Sequence, residues 1–228
     1  MTRNIDLKRK PKFKPRKHSK KGITDPKVLI GRTYKDFCEL NPYYFAEMDT
    51  VLSAKGSLKC ILTLYIPEME LLIARLLQRC TAGAVRMAVD SIEKSLGTEQ
   101  FQEILSPILT DRGSEFSDPD SLENGINGIQ RTSVYYCDPM RSNQKGGIEN
   151  VHTMLRMIIP KKTVFTHLSQ WDVTKAVNHI NSYAREELNG FTPYQLALNK
   201  FGPEVMKALH LKYIAPDDVT LTPALLKK

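Results

Sequence analysis

The stretch Phe45-Ala46-Glu47-Met48-Asp49-Thr50-Val51-Leu52, followed after the turn Lys55-Gly56-Ser57 by Leu58-Lys59-Cys60-Ile61-Leu62-Thr63-Leu64-Tyr65-Ile66, decides the fold. Residues 43–52 alternate as a strand does. Phe45, Glu47, Asp49 and Val51 fall on one face, and Ala46, Met48, Thr50 and Leu52 on the other. Residues 58–66 are apolar almost without interruption, the mark of a strand covered on both faces and hence central. The short turn between them predicts antiparallel pairing. Residues 71–78 fit a third strand or a short helix, and we take the strand.

Working outward, 81–104 reads as a helix, because Val85, Ala88, Val89, Ile92 and Leu96 recur at three- and four-residue steps. Residues 106–110 form a short strand with Pro107 at its start, where proline does least harm. Residues 118–128 are a loop with a turn of helix, and 133–137 are a fifth strand. A polar loop, 141–147, leads into a helix over 147–159 with Ile148, Val151, Leu155 and Ile158 as its stripe, stopped by Pro160. Helices follow at 169–183 and 193–201, the latter opened by the cap Thr192 and the first-turn Pro193. One or two turns of helix precede everything at 34–40, and a short helix follows Gly202. The order predicts an α/β fold with a mixed five-stranded central sheet and helices on both faces.

The chain has 228 residues, a net charge of +8, and 41% hydrophobic residues, ample for a core. The charge is unevenly placed. Residues 1–21 hold ten Lys/Arg against Asp6 alone, leaving the remainder at −1. This arm, with Lys8, Arg9, Lys10, Lys12, Lys14, Arg16 and Lys17 at its centre, reads as a mobile polybasic segment suited to a polyphosphate partner. A solubilising tail is the bland alternative, and an anionic membrane surface a weaker one. No apolar run approaches a membrane span, and the first residues are too polar for a signal peptide. The expectation is a cytoplasmic, nucleoid-associated protein. Four cysteines without a CxxC pair give neither a zinc cage nor a disulfide framework.

Three carboxylates stand out. Asp49 sits inside an apolar strand, where an unpaired charge is costly unless a cation neutralises it. Asp111 ends a strand and begins the sharp exit Arg112-Gly113-Ser114-Glu115-Phe116. Glu149 opens a helix after Gly146-Gly147. If the strands are neighbours and that helix crosses them, three carboxylates converge at one end of the sheet, as hard divalent ions require.

The words around them are more specific than the spacing. EMDTV at 47–51, TDRGSEF at 110–116 and YYCDPMRSNQKGGIEN at 135–150 resemble, in order, the catalytic motifs of bacterial DDE transposases, nearest to the insertion-sequence family numbered thirty, in the retroviral-integrase superfamily. The likeness runs from about Gly31 to Phe201, through Arg156, Pro160-Lys161 and FTPYQLAL at 191–198. It implies an RNase H-like catalytic core over 31–201, between a basic arm at 1–30 and a C-terminal extension at 202–228. It implies that Asp49, Asp111 and Glu149 are catalytic and hold two Mg²⁺ (or Mn²⁺) ions, Asp49 bridging both. Arg156, Lys145, Arg112, Lys161 and the arm would position DNA phosphates. Arg112 stands where relatives usually carry Asn. The implied partners are transposon ends and target DNA, with a homodimer or higher synaptic oligomer. The implied chemistry is phosphodiester hydrolysis followed by strand transfer. The alternatives are an impaired remnant that only binds DNA, and an RNase H-like nuclease that cuts without joining. The family's helix-turn-helix reader is not recognisable before Asp49, so a catalytic fragment or shortened product is expected.

Other candidates have plainer readings. Glu47 is taken as a residue behind the ligands or an ordinary surface acid. Glu115 is taken as a loop stabiliser, and His152 as a satisfied surface histidine. Cys137 is core, and Trp171 packs. Of Tyr135 and Tyr136, one is core and the other lines the DNA groove.

Overall fold

A computed structural model describes residues 26–226. The alternating and continuous apolar segments become β1 (Ala46–Leu52), β2 (Cys60–Ile66) and β3 (Leu71–Leu77), each antiparallel to the next. Every residue of β2 is buried, as its nearly continuous apolar run demands. Two short strands, β4 (Ile108–Thr110) and β5 (Val134–Tyr136), join parallel to β1 and complete a sheet of order β3-β2-β1-β4-β5. In the parallel pair Ala46 lies opposite Ile108 and Glu47 opposite Leu109. The same offset of 62 residues carries Asp49 level with Asp111, just past the end of β4. Thr110 Oγ1 donates to the Met48 carbonyl at 3.0 Å and fixes that register.

Helices cover both faces. α1 (Tyr34–Leu40), α5 (Gly146–Ile158) and α6 (Gln170–Asn181) lie on the face bearing Glu47 and Asp49. The opposite face, with Met48, Thr50 and Tyr136, is covered by α2 (Ala82–Leu96), against which α3 (Thr98–Leu105) and α4 (Pro119–Glu123) pack. α7 (Pro193–Ala208) lies against β3 and α2.

Two helices differ from the sequence reading. The single helix expected over 81–104 is two, because Gly97 takes φ 83° and ends α2 before α3 begins. Conversely α7 runs past 201, kinked where Gly202 takes φ 79° ahead of Pro203. Residues beyond 201 join the core: Val205, Met206, Leu209 and Leu211 are buried, and Leu221 and Leu225 pack against the core cluster. Trp171 is a correction too. It is 67% exposed, with the Lys175 ammonium 5.3 Å from its ring centre, because the second position of α6 faces outward. Tyr136 is core, but Tyr135 packs on Phe37 of α1 rather than lining a groove. The basic arm residues Lys8, Arg9, Lys10, Lys12, Lys14, Arg16 and Lys17 lie outside the described residues. Among the described residues no helix is long and apolar enough to cross a membrane.

Candidate functional site

The site forms where β1 and β4 end side by side. Each aspartate uses one oxygen to hold its own backbone and offers the other outward. Asp49 Oδ1 accepts the Thr50 N–H at 2.7 Å, and Asp111 Oδ1 accepts the Gly113 N–H at 2.8 Å. The two Oδ2 atoms face one point, occupied by the Lys145 ammonium, 3.4 Å from Asp49 and 3.9 Å from Asp111. Lys145 also donates to the Met48 carbonyl at 3.2 Å, and its side chain is 6% exposed. It is therefore not a surface lysine free to grip phosphate, as expected from sequence; the loop before α5 carries it into the carboxylate pocket. Partial burial, together with the charges of Asp49 and Glu115, holds the Asp111 carboxyl above its ordinary range, against the opposing pull of Lys145 and the Gly113 N–H.

A cleft of about 770 Å³ opens in front of these groups, lined by Asp49, Thr50, Asp111, Arg112, Glu115 and Asp138 among others. Glu115 does brace the loop, and does so from within the cleft: its Oε1 accepts from Thr50 Oγ1 at 2.7 Å. Arg112 turns aside, donating to the Cys137 carbonyl at 3.2 Å with Asp138 at 3.9 Å, and so clips the β4 exit to the β5 exit. Buried Cys137 lines the cleft floor.

Glu149 is not among the lining residues. It is exposed on the first turn of α5, and among the described residues no three His, Cys, Asp or Glu side chains form a group able to hold a metal. Its helix nevertheless crosses β1 on the stripe that contains it. Lys145 touches Asp49, His152 reaches Thr63 opposite Asp49, and Arg156 Nη2 donates to the Leu52 carbonyl at 3.1 Å. Offsets of three and seven residues put Glu149 on the helix face that carries His152 and Arg156, at its exposed N-terminal end. Lys161 is exposed beyond the helix end.

What seats α5 was not legible in the sequence. The helix lacks a side-chain cap of its own. Buried Glu47 supplies one from β1, accepting the Ile148 N–H at 2.6 Å, where a carboxylate meets the free N–H groups and positive end of the helix. Glu47 is thus a structural anchor rather than a surface acid. Gly147 makes this approach possible, since a Cβ there would strike the Tyr65 ring.

His152 is a relay, not a surface histidine. Thr63 Oγ1 has one proton and gives it to the Asp49 carbonyl at 3.0 Å, so it accepts from His152 Nε2–H at 2.8 Å. Burial, then the charges of Lys145 and Arg156, pulls the His152 pKa down to about 4. A depressed histidine gives stability that is full above its unfolded pKa and is lost as pH falls toward the folded one. The window is therefore about pH 6.5 down to about 4. Denaturant unfolding at pH 7.5 and 5 checks this. His152→Gln, which keeps a donor for Thr63, is expected to lose about 1–2 kcal/mol less than the parent on acidification. Glu47, raised by burial, works the other way, so the comparison with the parent isolates His152.

The donor chemistry fits a divalent cation in one respect: two carboxylate oxygens already converge on a cation, for which Lys145 stands in.

The sheet order and the helices on both faces define an RNase H-like fold of the integrase-core type. The catalytic core of bovine immunodeficiency virus integrase superposes with TM-score 0.50 at 16% identity, over 70% of this chain and 97% of that one. A chain of the simian T-cell lymphotropic virus intasome in complex with PP2A regulatory subunit B56 gamma gives 0.54 at 16%, over 93% of this chain and 66% of that one. In sequence the chain is similar to integrases and insertion-sequence transposases. "Putative integrase ORF3" of a Spiroplasma virus is 28% identical over 196 residues, 84% of this chain and 58% of that protein. "Transposase InsI for insertion sequence element IS30A" of Escherichia coli is 30% identical over 111 residues, 46% of this chain and 27% of that protein. The chain thus spans little more than half of the first relative and about a quarter of the second. No family model matches it.

Proposed function

We propose that the chain is the catalytic core of a transposase, cutting and joining DNA phosphodiesters with divalent metal bound between Asp49, Asp111 and Glu149. The observation that carries this is the convergence of two Oδ2 atoms on one cation position at the carboxyl ends of adjacent parallel strands. Open α/β sheets place ligands at such strand ends. Glu149 supplies the third carboxylate from the turn of α5 that follows Lys145. When bound, Mg²⁺ or Mn²⁺ would lower the pKa of an attacking water or 3′-hydroxyl and stabilise the leaving oxygen. The protein's own groups do the rest. Thr50 and Gly113 N–H groups hold each aspartate in place, and Glu115 braces the loop between them. Arg112 lines the cleft, and Arg156 lies beside it on the carbonyl of Leu52, a lining residue.

A basic rim continues from Arg156. The β1–β2 turn and the turn after α5 are tied by Ala54 N–H to the Thr163 carbonyl (3.0 Å) and Phe165 N–H to Ser53 Oγ (3.0 Å). Exposed Lys55, Lys161 and Lys162 thereby share one edge, beside the end of β1. Such a rim suits duplex backbone, gripping phosphate without reading bases. Replacing all three lysines by Ala is expected to weaken duplex binding and to shallow the salt slope by about 2–3. Fluorescence anisotropy over a KCl series measures both, and an unchanged slope would remove the rim from the interface.

The deciding experiment is a Mn²⁺-dependent assay on labelled DNA. Nicked and joined products are the expected result. Nicking without joining would make the protein a nuclease of the same fold, and neither product would reduce it to a binding module. Association into a synaptic dimer or higher oligomer belongs to the same proposal, read by light scattering with and without DNA.

A further inference from the structure

We infer that Lys145 is a tethered counter-ion that occupies the cation seat between Asp49 and Asp111, and that a divalent ion must displace it to bind. This rests on the metal-dependent reading above, which it deepens by naming what guards the metal seat.

The geometry is that of a point charge held between two carboxylates. Distances of 3.4 and 3.9 Å exceed the roughly 2.7–2.9 Å of a charge-assisted hydrogen bond. Its hydrogen bond to the Met48 carbonyl is long at 3.2 Å. The ammonium is therefore placed by the field of both aspartates more than by a bond to either. The nearby arginines point elsewhere: Arg112, which lines the cleft, toward the Cys137 carbonyl and Arg156 toward the Leu52 carbonyl. Among the described residues, Lys145 is the cation that neutralises the two carboxylates where they converge. With it, a hard divalent ion cannot enter, since its ligand distances of about 2.0–2.1 Å put it where the ammonium stands.

The surroundings allow the exchange. Lys145 immediately precedes Gly146, where a Cβ would meet nothing within 4 Å, so open space adjoins the lysine. Its ammonium sits against Asp49 and Asp111, both of which line the open cleft, and four methylenes give it the reach to swing past them. Released, the ammonium becomes a cation beside the metal seat. That is the role a phosphate-gripping lysine needs, so the sequence reading would describe Lys145 in the loaded state only.

Mn²⁺ titration of the full chain by calorimetry tests this. Lys145→Met is expected to bind Mn²⁺ about tenfold more tightly than the parent, because one unit of positive charge has left the seat. Lys145→Arg, which keeps the charge, should not gain. Metal-free Lys145→Met should also melt lower than the parent and recover on adding Mn²⁺. A folded Met variant that binds no more tightly overturns the inference while leaving the metal reading intact. If neither protein binds Mn²⁺, the metal reading fails and the inference with it. A second measurement uses the parent alone, so a misfolded variant cannot obscure the answer. Acylation of lysine amines read by mass spectrometry should find Lys145 protected without metal and several-fold more reactive with Mn²⁺. Unchanged labelling would overturn the displacement.

Discussion

Asp49→Asn is expected to abolish metal-dependent cutting and joining and also to destabilise the protein, two losses that Glu149→Gln separates. The aspartate side chain is 24% exposed and serves two partners, Thr50 N–H on Oδ1 and the Lys145 ammonium near Oδ2. Asparagine can keep the first partner, but then turns its NH₂ toward the ammonium. Activity should fall roughly 10³-fold or more, equivalent to about 4 kcal/mol of transition-state stabilisation. Stability should fall by about 1–3 kcal/mol, because a nearly buried cation loses half of its compensation. Asp111 is 51% exposed, so Asp111→Asn should match the loss of activity at a stability cost below about 1 kcal/mol. Glu149 is exposed, and Glu149→Gln should remove activity with no measurable change in unfolding. Urea melts and the Mn²⁺-dependent cleavage assay, run on the same preparations, resolve the two effects. Cleavage at the parent rate by a folded Asp49→Asn or Asp111→Asn protein would sink the assignment.

The sheet was legible because its information is local. An alternating run and a nearly continuous apolar run, separated by Lys55-Gly56-Ser57, determine a central antiparallel pair, and the later segments can only join across helices. The adjacency of Asp49 and Asp111 was legible at one remove, as a condition on strand order that the parallel register fulfils. Burial of polar groups was not legible. Glu47, Thr63 and Lys145 sit in segments whose periodicity says which face a side chain takes, but not what stands opposite it. Glu47 caps a helix 101 residues later, and Thr63 orients a histidine 89 residues later. No spacing rule reaches that far. The gap at Gly97 was hidden differently: apolar steps continue on both sides of it, and only the positive φ reveals two helices.

Arg131 extends the same lesson to the largest stability effect expected in the chain. Nothing in Gly128-Ile129-Gln130-Arg131-Thr132 marks the arginine as core, yet its side chain is fully buried. Its guanidinium donates to Asp90 at 2.6 Å, Glu93 at 2.8 Å, and the Leu122 and Ser121 carbonyls at 2.8 and 3.0 Å, and it lies 5.6 Å from the centre of the Phe101 ring. Four of five N–H groups are spoken for, in the fork geometry that arginine alone provides. The clasp joins α2, α3 and α4 to the strand-entry segment of β5, and β5 in turn flanks the β4 exit that carries Asp111. Arg131→Met keeps most of the volume but leaves Glu93, 3% exposed, without its cation, and frees two carbonyls. A loss of about 3–5 kcal/mol is expected, the cost of an uncompensated buried charge. Arg131→Lys should still lose about 2 kcal/mol or more, since an ammonium cannot reach all four acceptors. The effect is on folding rather than chemistry. Where Arg131→Met is kept folded at low temperature, its Mn²⁺ affinity should equal the parent's, because none of the clasp's contacts touches Asp49, Asp111 or Lys145. Equal melting of the Met variant and the parent would show the clasp to be no more stabilising than an apolar replacement.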